Sequence, residues 1–76
     1  MAYEHFNVKM SELYEELDAV LHSLSYTHYM MVMDPSDKTI AEYEQMIDRE
    51  KSVRQKIGNL NAEEMRQRSI DAGLTI

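Results

Sequence analysis

One proline and two glycines are the only strong backbone breakers in these 76 residues. The proline stands near the middle, in Asp34-Pro35-Ser36-Asp37. Proline pushes the residue before it out of the α region, so it stops whatever helix precedes it. Asp and Ser cap helix starts, and Pro suits the first turn of the next helix. The chain must therefore be built from long elements folded back at this point.

The flanking periodicity says what those elements are. Met10, Leu13, Leu17, Val20, Leu21, Leu24, His28 and Met31 recur at steps of three or four, one stripe on a helix. With Asn7 as its cap, the first helix is expected over about residues 8–32, roughly 37 Å long. A second stripe, Ile40, Tyr43, Met46, Ile47, Val53 and Ile57, gives a second helix over about 36–57, capped by Asp34 or Ser36. Gly58 is a natural stop. Asn61 and Glu64 then form a capping-box pattern, with Leu60 and Met65 placed as a hydrophobic staple. That signal predicts a short third helix over about 62–72, ending at Gly73. The fold class is all-α: an antiparallel hairpin plus a short third helix, within a single helical domain spanning 1–76.

Folding about Ser36 pairs positions whose numbers sum to about 71. Leu17 then meets Val53, Leu13 meets Ile57, and His28 lies beside Tyr43. The same register sets Glu12, Glu15 and Glu16 against Arg54 and Lys56. The charge is uneven: the residues through Asp34 carry one Lys against six carboxylates, while those from Pro35 onward are nearly balanced. Each exposed pair contributes only about 0–1 kcal/mol, so this pattern selects direction more than it stabilises.

A core this small is marginal without a disulfide, a metal or a partner chain. There is no cysteine, which excludes disulfides, thiolate metal sites and cysteine nucleophiles. Tyr14, Val20, Tyr26, Met30 and Val32 widen the first stripe beyond what one facing helix covers. The expected outcome is a homodimer or higher oligomer that completes a helical bundle. No apolar run approaches the roughly 20 residues of a membrane span, and no signal-peptide pattern opens the chain, so a cytoplasmic protein without a membrane partner is expected. The formal charge of −6 argues against a nucleic-acid partner.

The densest cluster of unusual residues is Ser25–Asp37, with Tyr26, His28, Tyr29, Met30, Met31 and Met33 before the turn. Tyrosine and methionine suit buried contacts and adaptable protein-binding surfaces alike. The spacing offers no metal site of the di-iron type, because no Glu precedes a His by three. No phosphate loop or nucleophile motif occurs, so neither an enzyme nor a cofactor is expected. Residues 65–76 read like the first half of a helix-turn-helix without a recognition helix. The tail Leu74-Thr75-Ile76 is a candidate to lie in a partner groove or on the bundle.

These observations favour a small acidic module that binds another protein as an inhibitor, adaptor or chaperone. The apolar and acidic faces of the first helix carry the work, with Tyr14, Tyr26, Tyr29, Met30 and Met33 as anchors. The alternative is a small-ligand or metal-binding bundle with His22, His28, Tyr29 and Tyr43 near the site. A third reading is a nucleic-acid binder using Arg49, Lys51, Arg54 and Lys56.

Overall fold

A computed structural model describes residues 3–73 and forms two helices, α1 (Glu4–Met33) and α2 (Asp37–Asp71), packed antiparallel as a hairpin. Among the described residues there is no strand and no third helix. Among the described residues no helix is long and apolar enough to cross a membrane.

The turn answers which residue caps α2. Ser36 is extended (φ −152°, ψ 165°), and its Oγ accepts from the Thr39 amide at 3.2 Å. Thr39 Oγ1 accepts from the Ser36 amide at 3.0 Å and donates to the Asp34 carbonyl at 2.9 Å. This is a capping box with Thr where Glu or Gln is usual. Thr39 is buried, yet its hydroxyl is fully used. Asp34 instead closes α1, its amide donating to the Met30 carbonyl at 2.9 Å.

Two expected boundaries are corrected. The first is the start of α1, which lies at Glu4 rather than after Asn7, with Tyr3 as cap and no side-chain cap bond. The extra turn exists because Phe6 continues the stripe one step back from Met10 and is buried. Tyr3 also ties this turn to the far end of α2. Its hydroxyl donates to Asp71 Oδ2 at 2.6 Å, and the Arg68 guanidinium lies 4.1 Å from its ring centroid.

The second correction removes the separate helix over 62–72, because α2 runs through Gly58 without a break. A glycine inside a helix costs about 1 kcal/mol, which tertiary contact readily offsets. Beyond Gly58, Leu60 is buried where the helices meet, so it does not staple Met65, which is exposed. Glu64 does not serve a cap at Asn61. It accepts from Arg68 one turn on, at 2.7 Å. The expected end does hold: Gly73 takes φ +76°, the left-handed conformation that ends helices cheaply, and its amide reaches the Ile70 carbonyl. Leu74-Thr75-Ile76 lie outside the described residues.

The register agrees with the sum of 71. Leu17, Val20 and Val53 form one buried cluster with Ile57 against it. The His28 and Tyr43 rings stand 5.6 Å apart, although His28 remains exposed. The expected cross-helix charge pairing does not form. Arg54 pairs with Glu50 in its own helix at 3.1 Å. Lys56 shares a groove with Glu12 and Glu16 without an ion pair.

The resulting body is thin. Its principal extents are 57 × 23 × 12 Å, so one dimension is a single helix diameter. Its radius of gyration is 17.4 Å, against about 11 Å for a compact chain of this length. Among the described residues only Phe6, Leu17, Val20, Val53 and Leu60 are buried apolar residues, with Val20 the most enclosed at 1% exposure.

Candidate interaction surface

The back of α1, turned away from α2, changes character along its length. At about 100° per residue, Glu4, Glu12, Glu15, Asp18 and His22 fall on it in the first half. In the second half the same side carries Tyr26, Tyr29, Met30 and Met33. Residues 19–33 contain no Lys, Arg, Asp or Glu. Tyr26, Tyr29 and Met33 are 64%, 58% and 64% exposed, and Met30 is half-buried beside them. Steps of three and four, from Tyr26 to Tyr29 and Met30 and from these to Met33, keep them on one side over about two turns.

The structure therefore brings together four of the five expected anchors. Tyr14 is separate. It is also exposed, but lies twelve residues earlier, about 18 Å along the axis, and on a different flank of α1. Sequence reasoning missed other exposed apolar side chains. Leu21 and Ile40, assigned to the core stripes, are more than a third exposed, and Val8, Met65 and Ile70 are well exposed. Both stripes are wider than one facing helix can cover. Positions at the stripe edges are the ones that go uncovered.

The residues offered for a small-ligand site divide as well. His22, Tyr26 and Tyr29 line an open groove of about 640 Å³ with Met46 at its edge. His28 and Tyr43 contact each other at the junction of the helices. Among the described residues no three His, Asp or Glu side chains converge as a metal-ligand set. The cations of the basic segment are also split. Arg49 and Lys56 are seven residues apart and share one side of α2, while Lys51 and Arg54 lie on the other.

A polar cluster ties the open end of the hairpin. Asp71 accepts from Tyr3 and from Gln67 Nε2 at 3.0 Å, and both bonds hold its carboxyl below the ordinary carboxylate range. The bond to Asp71 also raises the Tyr3 phenol above its ordinary value. This cluster is exposed and internally satisfied, which suits a clasp rather than a reacting centre.

Comparison of the chain with protein-family models, curated proteins and solved structures found no match.

Proposed function

We propose that this chain is a non-enzymatic protein-interaction module whose working surface is the uncharged second half of α1. The observation that carries this is the group Tyr26, Tyr29 and Met33, exposed together on a stretch of fifteen residues without a charge. Surface helices ordinarily present charged or polar groups to water. Aromatic and methionine side chains are enriched, and charges depleted, at interface cores. A partner helix or groove that covers this patch buries flexible methionines, which adapt to irregular surfaces. An inhibitor, an adaptor and a chaperone all work in this way. The hairpin is also expected to associate with itself into a helical bundle.

The test compares wild type with the double variant Tyr29→Ala, Met33→Ala as bait in extracts of the native host. Proteins retained by wild type should be lost from the variant, while circular dichroism and oligomeric mass stay the same. Equal capture by both baits contradicts the assignment of this surface. A second reading, a small-ligand groove at His22, Tyr26 and Tyr29, is supported by the open depression they line. It predicts a thermal shift with some member of a metal and nucleotide panel, and no shift anywhere removes it.

A further inference from the structure

A flat hairpin has two broad faces, and handedness decides which residues lie on each. In a right-handed helix each step turns about 100°. In an antiparallel pair, the flanks displaced in the same rotational sense from the two core stripes lie on the same side of the body, as the e and g flanks do in antiparallel coiled coils. One face then carries Tyr14, Leu21 and Val32 from α1 with Ile40, Ile47 and Met65 from α2. The other carries Lys9 and Glu16 from α1 with Glu42, Arg49, Lys56 and Glu63 from α2. Observed contacts agree with this division. The groove shared by Lys9, Glu12, Glu16, Lys56 and Glu63 lies wholly on the second face. The His28–Tyr43 and Tyr3–Arg68 contacts lie on the first.

We propose that a second copy of this chain packs on the Tyr14, Leu21 and Ile47 face, so that two hairpins enclose one core. This deepens the self-association expected above by assigning it a face, distinct from the Tyr26–Met33 patch. The area fits a second copy. The chain exposes 5852 Å², whereas a compact folded chain of this size exposes about 4,800 Å². The excess, about 1,000 Å², is more than enough to supply the roughly 800 Å² that each partner buries in a stable interface of standard size. The broad face, 57 by 23 Å, is large enough to supply it.

Charge fits as well. Among the described residues, the ions of α2 nearest this face are matched within the helix, Glu50 with Arg54 and Glu64 with Arg68, while Asp18 and Lys51, of opposite charge, stand at its outer edges. Covering the face therefore buries few unpaired charges, which is the main obstacle to closing an interface. Half-exposed Leu21, Ile40 and Ile47 become core, and the marginal single layer becomes a two-layer bundle.

The absence of cysteine allows a direct test. Ile40→Cys places a thiol on the proposed interface and Ser52→Cys places one on the polar face, both at exposed positions in the single hairpin. Alkylation by an uncharged maleimide is followed alongside mass from light scattering. The expected result is the mass of two chains, with Ile40→Cys reacting at least tenfold more slowly than Ser52→Cys in the same samples. A two-chain mass with equal reactivity, or with Ser52→Cys the slower, overturns the face while leaving self-association standing. The mass of one chain at every concentration overturns the second copy itself.

Discussion

The two broad faces of the hairpin share the same helices and the same central line of Leu17, Val20 and Val53, yet they are finished differently. On one side the flanks are Leu21, Ile47 and Ile57; on the other they are Glu16, Lys56 and Glu63. Two helices can bury only the line along which they touch, so the flanks show what each side meets next. Charged flanks meet water, and apolar flanks stay incomplete until something covers them. The difference teaches that the small core of this hairpin is not a defect of packing. Under the proposed pairing of two copies, it is one half of a larger core.

The comparison breaks most sharply under paired substitutions that add the same charge to each side. Leu21→Glu with Ile47→Glu should reduce the mass to one chain and lower the melting temperature strongly. Ser23→Glu with Gln45→Glu, on the polar side, should leave mass unchanged and stability within about 0.5 kcal/mol. Equal responses of the two pairs in light scattering and thermal melts would erase the distinction.

Smaller changes sharpen it at the ends of the shared line. Ser36→Ala removes the cap that sets the turn and thereby the register of both faces. It should cost about 1 kcal/mol in chemical denaturation. At Gly58, where a Cβ meets nothing within 4 Å, substitution by Ala should stabilise by about 0.5–1 kcal/mol if α2 is continuous there. A destabilised Gly58→Ala would restore a break between residues 57 and 62 and separate the lower part of each face.

The smallest effect belongs to the clasp of Tyr3 and Asp71. Asp71 is held below the ordinary carboxylate value, so its contribution is present at neutral pH and lost as pH falls through that lowered value. Tyr3 is raised, so its contribution is present below pH 10.0 and lost as pH rises through the raised value. Amide protection near residues 4–8 and 68–72, relative to the intrinsic exchange rate at each pH, should fall at both extremes, and Tyr3→Phe should flatten that dependence.

The sequence made the turn, the antiparallel direction and the register legible. Asp-Pro-Ser forces a fold-back, and helical spacing then leaves one way to match Leu17 with Val53. Local signals misled where tertiary contact outweighed them. Asn61 with Glu64 is a sound capping pattern, but Leu60 gains burial only if the helix passes through Gly58 unbroken. Asn7 is a sound cap, but Phe6 and Tyr3 gain contact only if α1 starts before it. The candidate surface was half legible. Tyr26, Tyr29 and Met33 were found by type and spacing, while the division into an apolar and a polar face required the handedness of the pair. That division is also why Tyr14, grouped with them by type, belongs elsewhere.

The most direct measurement is light scattering behind size exclusion on the unmodified chain, across a hundredfold range of concentration. The account predicts the mass of two chains persisting on dilution, because the apolar face is stable only when covered. The mass of one chain, with full helicity and a cooperative melt, would contradict it.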